Sequence, residues 1–309
     1  MSISERIYSA LMRRNAEGEQ DLPEEVQRNI APNGLRIVFA QGLQSSGDQT
    51  VNASTVLPWL FATLGVPAAL AGLLVPIRES GSMLPQALLT PLVLRVRYRK
   101  WIVVAGALVQ SLAVAIMAAA AAFDEGLSAG LTIIAALALF SFGRCLTSIA
   151  SKDVQGRTIP KGQRGQINGL ATTAAGLVAI TLGLAIRYFG GEDVSARYLA
   201  WLLAAGAVLW TVMAVVYAQI REVPDVEEPA SESVEEPLSS ANSWFKHIAV
   251  LLRDDTLFRH FVFVRSLLLV SALSPPFVVM LSIQSGAGSL AGIGGFIIAS
   301  GLAALLGGR

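Results

Sequence analysis

Charge is scarce in this chain. Lys, Arg, Asp and Glu together make up 15% of its 309 residues and hydrophobic residues 53%, whereas a soluble domain averages about 25% charged. That deficit excludes an ordinary water-facing surface. Cysteine occurs once, at Cys145, so no intrachain disulfide can form. Histidine occurs only at His247 and His260, which have no Cys or acidic cluster at ligand spacing, so no metal site is expected. HExxH, GxSxG and GxxxxGK are all missing, which leaves an enzyme embedded in the bilayer without a catalytic set and gives no reason to expect a cofactor. A net charge of +1 offers little to a nucleic-acid backbone. Residues 1–30 lack an apolar core followed by a small-residue cleavage site, so no cleavable signal peptide is expected.

What the chain does have is apolar length. Trp101 to Ala122, Leu127 to Ile149 and Tyr198 to Ile220 hold almost no charge, and each exceeds the roughly 20 residues that carry a helix across a hydrocarbon core. Eight such segments are read, near 35–62, 67–94, 101–122, 127–151, 166–189, 197–220, 259–283 and 288–306. The expected fold class is all-α, a polytopic membrane protein. The first segment is the least apolar, since Gln41, Gln44, Ser45, Asp48, Gln49 and Asn52 interrupt it. Positions 41, 44, 45, 48 and 52 nevertheless share one helical face. A crossing with lipid on one side and a wet cavity on the other has this pattern. A surface amphipathic helix is the competing reading, and the apolar run Val56 to Leu64 favours the crossing.

Basic residues set the orientation. Arg95, Arg97, Arg99 and Lys100 lie between the second and third segments, and Lys152, Arg157, Lys161 and Arg164 between the fourth and fifth. On the other side stand Asp124 and Glu125, then Glu192 and Asp193 flanked by Arg187 and Arg197. Short basic loops face the cytoplasm. This predicts a multi-pass protein of the inner (plasma) membrane whose amino terminus, with Arg6, Arg13, Arg14 and Arg28, is inside. Ile3, Ile7 and Leu11 recur every four residues, which fits a short helix on the inner surface as well as a solvated tail. The organisation reads as a tail over 1–34, a six-helix bundle over 35–220, a linker over 221–258 and two further helices over 259–309. The linker sequence EVPDVEEPASESVEEPLSS is too rich in Pro, Glu and Ser to fold alone.

Charge buried in a membrane helix is costly and points to an ion or solute path. At about 1.5 Å per residue, Asp48 lies roughly 20 Å from the inner end of the first segment, and Arg78 and Glu79 roughly 17 Å from the outer end of the second. They share a depth. Either Asp48 or Glu79 is expected to carry a proton, which an acid holds loosely beside an arginine and firmly once released into a dry cavity. Arg78 is expected to pair with that acid or to clamp an anionic group of the solute. A permanent ion pair locking the first two helices is the competing reading. Gln44, Asn52, Ser82, Gln86 and Arg144 complete the candidate solute-binding set; for Arg144, and for Arg265, snorkelling to the interface is the alternative. Asn168 and Thr172 form a weaker polar face. Gly169, Gly176 and Gly183 fit close helix packing, and Pro275 with Pro276 predicts a kink in the seventh helix.

Six helices with both ends inside, a long charged linker and then further helices resemble the major facilitator superfamily. The basic loop LRVRYRKW, Leu94 to Trp101, stands where that family has its loop between helices two and three, keeping the basic end and lacking the Asp and Gly-Arg core. Arg144, within SFGRCLTSIAS, is similar to the arginine of the family's fourth-helix motif, whose downstream glycine is absent here. Helix five lacks the Gly-Pro motif of the drug antiporters. The resemblance implies a six-helix amino-terminal half followed by two helices of an incomplete second half, the chain stopping at Gly307, Gly308 and Arg309 where a second basic loop would open. It also implies a permease that moves a small-molecule solute through the lipid bilayer by alternating access, with proton coupling expected from the interior acids. A non-transporting receptor or assembly factor on the same fold is the alternative.

Overall fold

The computed structural model describes residues 3–12, 18–19, 23–189, 195–223, 250, 253, 255–272, 274–284, 295, 297–299 and 302. Every regular element among them is helical. In chain order these are α1 (Ile3–Leu11), α2 (Glu24–Gln27), α3 (Ile30–Thr50), α4 (Val56–Thr63), α5 (Ala68–Ala71), α6 (Leu74–Leu94), α7 (Lys100–Phe123), α8 (Gly126–Thr158), α9 (Arg164–Phe189), α10 (Ala196–Ala218), α11 (Thr256–Ala272) and α12 (Ser274–Gln284). The backbone divides into one unit of Met1–Val223 with Pro275–Arg309 and a second of Pro224–Ser274, which contains α11. Most of the expected linker, most of the helix expected at 288–306, Glu192, Asp193, His247 and the final Gly307 to Arg309 lie outside the described residues, as do the side chains of Arg187 and Arg265.

Among the described residues, helices α7, α8 and α10 are long and apolar enough to cross a membrane. They form because a backbone in hydrocarbon must satisfy its own N–H and C=O groups. Their ends follow from local chemistry. At the start of α7, the Glu222 carboxylate accepts the N–H groups of Arg99 at 3.2 Å and Lys100 at 2.9 Å, a negative charge at the positive end of a helix. α7 stops at Asp124, and Gly126, at φ 61°, turns the chain while its N–H bonds the Leu64 carbonyl at 2.7 Å. α8 runs past the expected 151 to Thr158 and ends where Ile159 precedes Pro160 and turns extended at φ −125°, ψ 131°.

The first crossing differs from its expectation as one helix over 35–62. α3 begins at Ile30 and stops at Thr50, the chain leaves the helix through Val51 to Thr55, and α4 resumes at Val56. The side chain of Asn52 explains the break: its Oδ1 accepts the Ser54 N–H at 2.9 Å, a local turn that competes with helical bonding.

Within the first unit, α10 packs on α7, α7 on α8 and α8 on α6, while α3 packs on α10 and α9. Lipid is as apolar as a leucine side chain, so burial against a neighbour gains little from the hydrophobic effect and close fit matters more. Leu108, Leu112, Leu131, Trp201 and Val208 are therefore exposed, while Gly106 and Gly143 bring α7 and α8 together: a Cβ on either would lie 2.8 Å from the other's carbonyl oxygen. One of the three glycines singled out in the sequence is open instead. A Cβ on Gly169 would meet nothing within 4 Å.

The amino-terminal segment forms a helix, α1, and packs on α3. The face it buries carries Tyr8 and Met12; Ile7 and Leu11 are exposed. Tyr8 lies against Gly34, and its hydroxyl donates to Gln163 Oε1 at 2.5 Å, in the connection between α8 and α9.

Candidate functional site

Asp48, in the last turn of α3, reaches two other helices at once. Its Oδ1 accepts from Arg78 Nη2 at 3.1 Å, and its Oδ2 forms an ion pair with Arg144 Nη1 at 2.9 Å. Arg78 comes from α6 and Arg144 from the middle of α8, so one carboxylate joins three elements of the bundle. Snorkelling does not describe Arg144, whose guanidinium turns inward to this acid. The side chains of Asp48, Arg78 and Arg144 are 16%, 19% and 29% exposed, so the cluster opens on accessible space within a helix bundle.

The surroundings orient both guanidiniums. Arg78 Nη1 donates to the carbonyl of Val51 at 2.7 Å, the first residue of the break between α3 and α4, whose carbonyl is free because the helix has ended. With its amide turned so that the oxygen faces the guanidinium, Gln44 Oε1 lies 2.6 Å from Nη1 and 3.1 Å from Nη2 of Arg144. Arg78 also sits 5.7 Å from the centre of the Phe140 ring and Arg144 5.9 Å from that of Trp210, distances at which a ring face attracts a cation. The two rings meet edge to face at 5.6 Å and are fully buried.

The remaining candidates lie apart from this constellation. The carboxylate of Glu79 makes no hydrogen bond or ion pair among the described residues, and Glu79 is half-buried on α6 next to Arg78. Asn52 is engaged in the turn that breaks the first crossing. Ser82 Oγ donates to the Glu79 carbonyl at 3.0 Å and Gln86 Nε2 to the Ser82 carbonyl at 2.8 Å, so both are bonded to their own helix rather than to the cluster. Thr172 likewise bonds the Asn168 carbonyl at 2.9 Å. Val51, Phe140 and Trp210 were not singled out from the sequence. The run Val51-Asn52-Ala53-Ser54-Thr55 carried the turn signal for the break; the two aromatics look like any other apolar residue of a crossing.

A separate cavity of about 550 Å³ lies at the Phe123 end of α7 and the Arg197 end of α10, lined by Ala118, Phe123, Ala200 and Trp201 and sharing no residue with the Asp48 cluster.

A helical bundle with three helices among the described residues long and apolar enough to cross a membrane, and a charged cluster among its helices, fits a membrane carrier, and comparison with protein families agrees. The family model described as Major Facilitator Superfamily matches residues 37–309. The chain belongs to the major facilitator superfamily. Its members are membrane transporters that handle small molecules, so this chain is a multi-pass membrane protein of a transporter family. No curated protein and no solved structure matches it. In this superfamily member, the arginine similar to that of the fourth-helix motif, Arg144, is one of the two that hold Asp48.

Proposed function

We propose that this chain moves a small solute across the inner (plasma) membrane by alternating access, with its amino terminus in the cytoplasm, and that Asp48 couples the movement to protons with Glu79 as a second acid. The observation behind this reading is the shared carboxylate: Asp48 holds Arg78 and Arg144 from two other helices. A carboxylate between two guanidiniums is stable as an anion. Separated from them in an apolar bundle, it is stable only with a proton. A motion that parts α3 from α6 and α8 is thereby tied to proton uptake, and the interruption at Val51 to Thr55 lets the end of α3 move without α4. Glu79, whose carboxylate has no hydrogen bond or ion pair among the described residues, is the neighbouring acid to which the proton can pass.

The test is reconstitution of the full chain in liposomes with an imposed pH gradient, reading by mass spectrometry which solutes accumulate from a mixture of small metabolites. The expected result is accumulation that follows the gradient and is lost in Asp48→Asn, while exchange without a gradient persists. Accumulation indifferent to the gradient would remove the coupling. No flux of any solute by folded protein would favour a receptor or assembly role instead.

A further inference from the structure

Arg78 and Arg144 are held by groups other than the acid they share. Arg78 has the Val51 carbonyl at 2.7 Å and the Phe140 ring. Arg144 has Gln44 Oε1 at 2.6 Å and the Trp210 ring. Without Asp48, each guanidinium keeps an acceptor and an aromatic face, so both stay in position. The site thus separates into fixed donors and a removable anion. Two guanidiniums held a carboxylate's width apart beside accessible space form a receptor for an oxyanion, because each presents planar paired N–H groups.

We infer that the solute carries an oxyanion head, a carboxylate or a phosphate-like group, which takes the place of Asp48 between Arg78 and Arg144, and that Asp48 takes up one proton as it leaves. This rests on the transport reading above and names the substrate class of the same site. The charge count requires the exchange. Arg78 and Arg144 balance Asp48 and Glu79. An arriving monoanion would leave one negative charge uncompensated in the bundle, where uncompensated charge is costly. One proton from the water-filled side, placed on Asp48, restores the balance with no other bond made or broken.

The charged groups facing Asp48 are Arg78 and Glu79 on α6 and Arg144 on α8. α9 and α10, which also pack against α3, carry no charged residue between Gly165 and Ile186 or between Tyr198 and Ala218, and Tyr198 and Tyr217 are the titratable groups of that span of α10. α1 meets α3 at Gly34, about 21 Å along the helix from Asp48, and brings Glu5, Arg6 and Tyr8 no nearer than that end.

The experiment uses the full chain in lipid nanodiscs with five probes: acetate, benzoate and inorganic phosphate, and the neutral acetamide and benzamide. Binding is measured by equilibrium dialysis, and proton uptake with a pH indicator in weak buffer. The expected result is saturable binding of at least one anion with about one proton taken up per anion, no binding of the amides, and at least tenfold tighter anion binding in Asp48→Asn without proton uptake, since the competitor is gone. A merely structural acid would move affinity the other way or not at all. Unchanged or weaker binding in that variant, amides that bind like the acids, or no binding by any of the three anions would each overturn the inference. Should Asp48→Asn not fold, the proton count on the unaltered chain decides, because anion binding without proton uptake contradicts the exchange. Anion binding with proton uptake but no flux in liposomes would keep this site and sink the transport reading. Gradient-driven flux of a neutral solute without anion binding would do the reverse.

Discussion

Two clusters in this chain are built from a carboxylate shared by two arginines, and they have different surroundings. In the interior, Asp48 on α3 joins Arg78 on α6 to Arg144 on α8. Where α6 gives way to α7, Asp153 of α8 joins Arg99 and, at 2.7 Å, Arg157 one turn along its own helix. This second cluster is tied to chain ends. Arg99 Nη2 donates to the Leu94 carbonyl at 3.0 Å at the end of α6, Glu222 caps the start of α7, and Lys100 Nζ donates to the carbonyls of Ala218 at 3.2 Å and Ile220 at 2.8 Å at the end of α10. Its donors close the ends of three helices and have little reason to move. The interior cluster ties the last turn of α3 and the second turn of α6 to the middle of α8, with all three partners on separate elements. Moving one helix leaves charge uncovered in an apolar bundle, and the charge must then be met by a proton or another ion. The same residue types serve as a clasp at one end and as a candidate switch in the middle.

The comparison can be broken most directly by neutralising each acid. Asp48→Asn is expected to lower gradient-driven flux at least a hundredfold, whereas Asp153→Asn should change it less than about threefold, both measured per folded protein in liposomes; equal losses would erase the distinction. Stability should rank the other way for the clasp. Asp153→Ala removes the carboxylate that Arg99, 6% exposed, pairs with, and is expected to cost about 1–3 kcal/mol, read as a lower unfolding midpoint in detergent. Glu222→Gln keeps an acceptor for the start of α7 and loses only the charge, so about 0.5–1 kcal/mol is expected in the same assay. The smallest effect comes from salt. Raising ionic strength from about 0.05 to about 0.5 M shortens the screening length to a few Å and should shrink the penalty of Asp153→Asn by a few tenths of a kcal/mol while leaving anion affinity in the Asp48→Asn protein nearly unchanged. A strong salt effect on the interior site would show that it is as wet as the clasp.

Much of the fold was legible because a bilayer imposes so few options. α7 and α10 start and stop within two residues of the expected segments, since an apolar run longer than a crossing has only the helix available to it. The first crossing was read less well. Val56 to Leu64 resumes the apolar pattern after Thr55, so hydropathy carries straight through a break made by one side chain of Asn52. The close approach of Gly106 and Gly143 was missed for a related reason. Gly169, Gly176 and Gly183 repeat regularly along one helix, whereas Gly106 and Gly143 matter only because α7 and α8 bring them face to face.

By itself, the sequence determined that this protein is helical, that it crosses a membrane, and that Asp48 and Arg78 sit at one depth. Those properties depend on composition and on a fixed rise per residue, which are local. Tertiary structure decided which partners meet. Arg144 could equally have snorkelled to the interface, Glu79 could have taken the place of Asp48, and nothing in the order of residues marks Phe140, Trp210 or the Val51 carbonyl as the supports of the two guanidiniums. Partner choice follows from how three helices turn their faces toward one another, and a helix's rotation is set by packing against its neighbours rather than by its own hydropathy.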